Sequence, residues 1–422
     1  MSHDARSLAL SVLFRVSKEN AFASSALRVA FGQNRGMGPA DRGLATELVY
    51  GVLRRRGLLD QAIAAASGRR IKDIDPKLLD VLRLGAYQIL YLDRIPPHAA
   101  VSTAVELAKK RRAGRGASFV NAVLRRLAQA PVIPPPAPRD EDPEQHLADV
   151  GSLPRGLAHR LMADLGEAEA LAFAQASLEP GPLTLRANLL RTTQAELQAE
   201  VGGTAGALPW AVRLPHAGGA LPAELAAVKE GRATPQDEAS MQVVALLDPQ
   251  PGERILDLCA APGGKTTHAA ELMQDQGEVV AHDRLPARLA RVAQAARRLG
   301  LTSVQTSEAL PPAEPTFDRV LVDAPCSGLG TLRRHPEIRW RLSDKDVAEL
   351  TVTQAEVLAQ GAARLRPGGT LVYSVCTVTR AEGEAQLAAL EGSFEVQEIL
   401  RTGPHQEGAP DGFFAARLIK RG

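Results

Sequence analysis

The stretch "RILDLCAAPGGKT" (254–266) decides the fold. Ile255, Leu256 and Leu258 form a short apolar run of the kind a buried strand shows. Pro262, Gly263 and Gly264 break it, and helical spacing resumes from Lys265. Strand, glycine-rich turn and helix open an α/β unit, and the alternation continues downstream. "EVVAHD" (278–283) predicts a second strand, "PARLARVAQAARRLG" (286–300) a helix, and "SVQTSE" (303–308), "FDRVLVDA" (317–324) and "GTLVYSVC" (369–376) further strands. "FEVQEIL" (394–400) and "GFFAARLIK" (412–420) close the chain with no long helix between them, as a hairpin does. Five alternating units and a hairpin predict a mostly parallel, doubly wound Rossmann-like α/β sheet over residues 236–422.

The loop 259–265 is a candidate ligand cradle. Its glycines let a ligand approach the backbone, and the following helix offers free N–H groups and a positive dipole end. A Walker A loop needs a glycine five residues before the Gly of its Gly-Lys pair, and Cys259 stands there. A dinucleotide fingerprint needs GxGxxG, which "APGGKT" lacks. S-adenosyl-L-methionine remains, with a carboxylate for the helix N-terminus and a ribose for an acid ending the next strand. Asp283 ends "VVAHD", 20 residues past Gly263, where a ribose-binding acid belongs.

The chain has three cysteines, Cys259, Cys326 and Cys376, and no CxxC pair. That pattern argues against a disulfide framework and a zinc knuckle, and fits a reducing cytoplasm. Cys326 in "LVDAPCSGLG" (321–330) and Cys376 in "LVYSVCT" (371–377) lie at the carboxyl ends of two predicted strands. In open α/β sheets that edge is where ligands bind, so both thiols and Asp323 are expected to face one pocket. Which thiol attacks stays open on this reading. Cys259 reads as packing beside the loop. His335 and the other histidines lack metal-ligand spacing, so no metal is expected.

Residues 1–130 differ from the rest. Apolar residues recur there at three- and four-residue steps, in "RGLATELVYGVLRRRGLLDQAIAAA" (42–66) and "DPKLLDVLRLGAYQILYL" (75–92) for example, which predicts an all-α bundle. This third holds 22 Lys+Arg against 10 Asp+Glu, and the remainder 28 against 38, although the net charge is only +2. A basic N-terminal third points to a polyanionic partner, most simply nucleic acid. The runs "RRR" (54–56) and "KKRRAGRG" (109–116) are expected to supply phosphate contacts. The proline-rich, acidic "PVIPPPAPRDEDPEQ" (131–145) reads as a linker and residues 146–235 as a small α+β module. With 45% hydrophobic and 23% charged residues, no apolar run of membrane-spanning length and an N-terminus that reads as an amphipathic helix rather than a signal peptide, a soluble monomer is expected.

"LDLCAAPGGKT", "DAPCSGLGT" and "YSVCT" together resemble the Nol1/Nop2/Sun family of RNA cytosine-C5 methyltransferases. The resemblance is strongest to its bacterial Sun/Fmu branch, because "LRLGAYQILYLDRIPPHAAVSTAVELAK" (82–109) and "FVNAVLRRL" (119–127) are similar to that branch's NusB-like RNA-binding domain. "QDEAS" (236–240), "RHPEIRW" (334–340) and "DGFFAARL" (411–418) also look like the family. The resemblance implies a NusB-like bundle, a small α+β module and a class I methyltransferase sheet. It implies S-adenosylmethionine held by Cys259, Ala260, Ala261, Pro262, Gly263, Gly264 and Lys265, with Asp283 on the ribose and Asp323 nearby. Where the family has Gly-Asp after the third strand this chain has Ser307-Glu308, leaving Glu308 for the adenine amino group. Arg186 and Asn188 resemble a family strand near the substrate.

Carbon C5 of cytosine is a poor nucleophile. Adding a thiolate to C6 makes it enamine-like; methyl transfer, proton loss and thiolate elimination follow. The resemblance selects Cys376 as that thiolate, Cys326 as the group assisting adduct release and Asp323 as the acid at the base edge. It implies 16S ribosomal RNA, free or in an assembling small subunit, as the partner. A related enzyme acting on tRNA or another rRNA site, and an RNA-binding assembly factor with a vestigial catalytic domain, are the alternatives; the intact loop and both cysteines argue against the latter.

Overall fold

The computed structural model describes residues 4–112, 116–131, 133–215 and 224–422. The chain divides into two compact units: one comprises 1–179 and Leu332–Arg341, the other 180–331 and 342–422.

The first unit is helical, with α1 (Ala5–Lys18), α2 (Ala23–Gln33), α3 (Pro39–Arg54), α4 (Arg56–Ser67), α5 (Pro76–Tyr91), α6 (Pro97–Arg112), α7 (Ala117–Gln129), α8 (Pro143–Gly151), α9 (Arg155–Leu165) and α10 (Glu167–Ala176). α5 starts where the sequence says it should: Asp75 caps it, accepting the N–H of Lys77, and Pro76 takes the first turn. The long apolar pattern of 42–66 splits into α3 and α4 at Arg55.

Two expectations are corrected in this unit. The arginines of 54–56 are not a free phosphate-binding surface. Arg54 is buried and donates to the carbonyl of Arg333 at 2.8 and 3.2 Å; Arg55 donates to Leu178 O and pairs with Glu179; Arg56 lies over the Trp340 ring. They are drawn inward by the segment Leu332–Arg341, whose own Arg339 is fully buried and donates to the carbonyls of Arg54, Gly151 and Ser177. Of the second basic run, residues 113–115 and the side chains of 111 and 112 lie outside what is described, and Lys109 is exposed and pairs with Glu106. The linker is also shorter than 131–145, and the segment after it is not part of an α+β module. Asp142 caps α8, accepting the N–H of Gln145, and α8–α10 join the helical unit through Gln61 Nε2 to Asp149 and the N–H of Gly57 to Ser152 Oγ.

The second unit holds two sheets. A four-stranded antiparallel sheet, order β2-β3-β1-β4, contains β1 (Thr184–Ala187), β2 (Thr204–Ala205), β3 (Ala211–Arg213) and β4 (Ala233–Pro235), with α11 (Gln194–Val201) and α12 (Ala226–Lys229) between strands. After α13 (Glu238–Leu247) come β5 (Arg254–Asp257), α14 (Gly264–Leu272), β6 (Glu278–His282), α15 (Pro286–Leu299), β7 (Val304–Ser307), β8 (Phe317–Asp323), α16 (Asp344–Arg364), β9 (Leu365–Val375), α17 (Glu384–Leu387), β10 (Phe394–Thr402) and β11 (Phe413–Lys420). Their seven strands run in the order β10-β11-β9-β8-β5-β6-β7. β9, β8, β5, β6 and β7 are parallel neighbours, and the β10–β11 hairpin is antiparallel to β9. The predicted α/β sheet with a hairpin end is therefore the observed one. Its inner parallel strands β5, β6, β8 and β9 are apolar on both faces because helices cover both: Ile255, Val279 and Leu321 pack toward one side, and Leu256, Val320 and Tyr373 toward the other.

Candidate active site

The strand order puts the carboxyl ends of β5, β6, β8 and β9 along one edge, and a cavity of about 480 Å³ opens there. That volume is in the range of small-molecule sites, roughly 300–1,000 Å³. Its lining comes from four places: Leu258, Cys259 and Ala261 after β5; His282, which ends β6, through Leu285 with Arg288; Asp323, which ends β8, through Cys326; and Cys376 after β9. Leu310 and one face of α16, Thr353, Glu356, Val357 and Gln360, complete it.

At the β5–β6 end the backbone does most of the holding. Gly263 has φ +103°, a conformation open to glycine, and a Cβ there would stand 3.1 Å from the Cα of Val292 on α15. The loop turns tightly enough for the N–H of Gly263 to reach Ala260 O at 2.7 Å before α14 begins. Asp283 is buried; its Oδ1 accepts the N–H of Leu285 at 3.0 Å, its Oδ2 accepts that of Ala261 at 3.3 Å, and Arg288 stands 3.4 Å away. Beneath the loop Asp257 is buried, with Oδ2 accepting Thr266 Oγ1 at 2.7 Å and Oδ1 without a hydrogen bond. Burial, reinforced by the Asp323 charge, pushes its carboxyl up to about 7. Burial likewise pushes the Cys259 thiol up to about 12, holding it neutral.

At the β8–β9 end side chains hold one another. The register sets Asp323 beside Ser374, so the segments after the two strands emerge together. Cys326 and Cys376 consequently meet, Sγ to Sγ, at 3.3 Å. The hydrogen bond to Cys376, burial, and the charges of Cys376 and Glu382 push the Cys326 thiol well above its ordinary value. Asp323 Oδ2 accepts Lys265 Nζ at 2.7 Å and Oδ1 accepts Ser374 Oγ at 2.8 Å. Burial alone would lower the Lys265 ammonium; the Asp323 charge and hydrogen bond outweigh it and hold it above its usual value. Gly330 closes the β8 segment back onto this end, its N–H donating to Cys376 O at 3.0 Å. A Cβ on Gly330 would fall 1.7 Å from Gly412 O, so only glycine fits.

The predicted residues divide accordingly. Cys259, Ala261, Asp283, Asp323, Cys326 and Cys376 share the cavity. Ala260, Pro262, Gly263, Gly264 and Lys265 form the turn and the first two helical residues beside it. Glu308 is exposed and absent from the lining, which Leu310 reaches instead. Arg186 is fully buried and fork-bonded to Glu271, with further donations to Thr267 Oγ1 and Gly264 O. It thus buttresses α14 from β1. Asn188 is likewise buried, donating to Gly231 O and Leu299 O. Sequence reasoning missed the α16 face and Glu382.

A sheet with a ligand cavity at its switch edge, a glycine turn into a helix and an acid ending the second strand define an S-adenosylmethionine-dependent methyltransferase. The residues fit that donor: the turn leaves open backbone at Gly264, where nothing lies within 4 Å of a Cβ, Asp283 lines the cavity, and Asp257 Oδ1 is an unpartnered acceptor beneath it. Comparison with known proteins narrows the class. Residues 244–419 match the 16S rRNA methyltransferase RsmB/F family model and residues 3–129 the NusB family. A curated relative from Synechocystis is 38% identical, covering 97% of this chain and 93% of its own. Ribosomal RNA small subunit methyltransferase B of Klebsiella pneumoniae is 36% identical over 90% of both chains. The crystal structure of PH0851 superposes over 100% of both chains with a TM-score of 0.80 at 26% identity. NSun6 from Pyrococcus horikoshii, solved with SFG, shares the fold at a TM-score of 0.59 and 22% identity, covering 64% of this chain and 99% of its own. The chain belongs to the ribosomal RNA small subunit methyltransferase B family and is an S-adenosylmethionine-dependent RNA methyltransferase.

Proposed function

We propose that this chain methylates C5 of a cytosine in 16S ribosomal RNA through a covalent bond between Cys376 Sγ and C6 of the base. The observation that carries the reading is the 3.3 Å contact between two thiols that also border the cavity beside Asp323. A direct methyl transfer to nitrogen or oxygen has no use for such a pair. S-adenosylmethionine, when bound, supplies the electrophilic methyl group.

The chain's residues take the remaining parts. The Asp283 end holds the donor, with Asp283 on the ribose. Cys376 forms the S–C6 bond, and the electrons of the C5–C6 double bond move toward C5 and the N3 side of the ring. Asp323, kept in place by Lys265 and Ser374, faces that side and holds or passes the proton there. Once C5 carries the methyl, its proton must leave before the C5–C6 double bond re-forms and the S–C6 bond breaks. Cys326 suits that step. Two of the causes that keep it neutral, its hydrogen bond to Cys376 and the Cys376 charge, vanish when that sulfur is bonded to carbon. Its thiol then loses its own proton to solvent more readily, and the resulting thiolate can take the C5 proton. The target base must be unstacked to reach the thiols.

Bisulfite sequencing of 16S rRNA from cells lacking the protein tests the reading: one cytosine should lose protection. Unchanged protection at every rRNA cytosine would refute it.

A further inference from the structure

Glu382 follows β9 in a polar stretch and would pass for a surface residue, yet it is fully buried. Its carboxylate accepts five donors. Oε1 takes the N–H of Ser327 at 2.7 Å and Nε2 of Gln354 at 3.1 Å. Oε2 takes the hydroxyls of Ser327 at 2.6 Å, Thr379 at 2.8 Å and Thr377 at 3.3 Å. Ser327 is the residue after Cys326 and Thr377 the residue after Cys376; with the Ser327 proton on Glu382, the single Thr377 hydroxyl proton is shared between Ser327 Oγ at 2.8 Å and Glu382 Oε2 at 3.3 Å. Gln354 of α16 uses the same amide to donate to the carbonyl of Pro325, the residue before Cys326. The Glu382 carbonyl accepts the Tyr373 hydroxyl at 2.6 Å. Among the described residues no Lys or Arg pairs with this carboxylate, so its desolvation is offset by hydrogen bonds alone. Glu382 does not line the cavity. Every partner it has belongs to, or grips, a segment that carries a thiol.

We propose that Glu382 is the positioning residue of the two-thiol site, its carboxylate tying the segment after β8 and the segment after β9 to one point so that Cys326 and Cys376 stay in contact and face the cavity. The inference rests on the reading that both thiols act. It assigns the site a support 56 residues from Cys326 in sequence and 6 from Cys376. The same charge also acts on Cys326. Cys326 is faced by Cys376 and Glu382 and by Tyr373 from the strand beneath; Asp323, to which Lys265 is bonded, and Glu356 of α16 line the same cavity. Of these, Cys376 and Glu382 raise it. Removing the Glu382 charge should therefore let Cys326 ionise at lower pH.

The test uses the full-length chain with Glu382→Gln, Glu382→Asp and Ser327→Ala. Gln offers one acceptor oxygen to five donors. Turnover on a 16S rRNA transcript should fall by about ten- to a hundredfold, the scale of a small misplacement at a reacting centre. KM for the transcript and S-adenosylmethionine affinity by calorimetry should stay within about threefold. Alkylation of Cys326 by iodoacetamide, followed against pH by mass spectrometry, should shift to lower pH in Glu382→Gln and keep its wild-type profile in Glu382→Asp, which retains the charge but not the reach. Should Glu382→Gln lose cofactor binding, Ser327→Ala carries the test, with turnover several-fold down and cofactor affinity intact. Wild-type turnover and alkylation in Glu382→Gln overturn the proposal, as does a loss of turnover in Ser327→Ala that only tracks lost cofactor affinity. The alkylation readout needs no RNA. A shifted profile in a protein whose Cys376→Ala variant still methylates would uphold the clamp and overturn the two-thiol reaction instead.

Discussion

The two ends of the cavity are built differently. At the β5–β6 end a carboxylate, Asp283, is held by backbone N–H groups of Ala261 and Leu285, and the loop keeps its shape by glycine geometry. At the β8–β9 end every working group is held by another side chain: thiol by thiol, Asp323 by Lys265 and Ser374, the flanking hydroxyls by Glu382. A backbone-built site survives the loss of one side chain with the loss of one contact. A network of side chains in a poorly solvated place does not, because each group's protonation and position depend on its neighbours. Substitutions at the thiol end should therefore be large and non-additive, and those at the donor end smaller and separable.

The sharpest break of that contrast lies in the thiols. Cys376→Ala should lower turnover by at least about a thousandfold and give no protein–RNA adduct, since C5 is never activated. Cys326→Ala should still attack and then stall, giving an RNA-linked band on denaturing gels with labelled rRNA. The reverse pattern would make Cys326 the nucleophile; full activity in both would make the contact mere packing.

Next comes the ion pair. Asp323→Asn keeps the shape but leaves Lys265, a nearly buried ammonium, facing an amide. Turnover should fall by about a hundredfold or more, with cofactor affinity within a few-fold. Combining it with Lys265→Met should cost about 0.5–3 kcal/mol less than the two single losses added. Additive losses would mean that the two residues act separately, and the contrast between the ends would fail.

The donor end is also the part that was readable in advance. Strand, Gly-Gly turn, helix and an acid 20 residues on are local features, and local chemistry dictates them. The thiol pair was half readable: predicted strand ends at 324 and 376 put both cysteines at one edge, but their contact needs the β8–β9 register. Glu382 was not readable, because a Glu among Thr, Arg and Ala matches a solvated turn until distant segments bring it three of its five donors. The "RRR" run failed for the converse reason. Three consecutive arginines look solvated, and only a segment some 280 positions later supplies the carbonyl and the indole that draw Arg54 and Arg56 inward. The family resemblance placed Glu308 at the donor, yet it is exposed and absent from the lining of the cavity that Leu310 reaches.

That last difference gives a third test. Asp283→Ala should weaken S-adenosylmethionine binding by about 1.5–3 kcal/mol, the value of a charge-assisted hydrogen bond. Glu308→Ala should leave it within about twofold. Calorimetry on both variants reads this directly; equal losses would put Glu308 at the donor after all.

The smallest effect concerns Asp257, where the two ends touch electrostatically. Its carboxyl is raised to about 7 by burial and by the Asp323 charge, against about 3.9 in an unfolded chain. Between those values the unfolded chain has released the proton while the folded one keeps it. Stability therefore falls as pH rises through that window and levels off above it. Asparagine does not titrate, so the Asp257→Asn variant should gain on the wild type, by on the order of 1–2 kcal/mol between pH 4 and pH 8. Any fixed cost of seating the amide cancels when the two pH values are compared. In an Asp323→Asn background one cause of the shift is gone, so the window should narrow and the gain shrink. Thermal melts of the four proteins at both pH values measure this. A gain that ignores Asp323 would mean that burial alone sets the Asp257 carboxyl and that the two ends of the cavity are electrostatically independent.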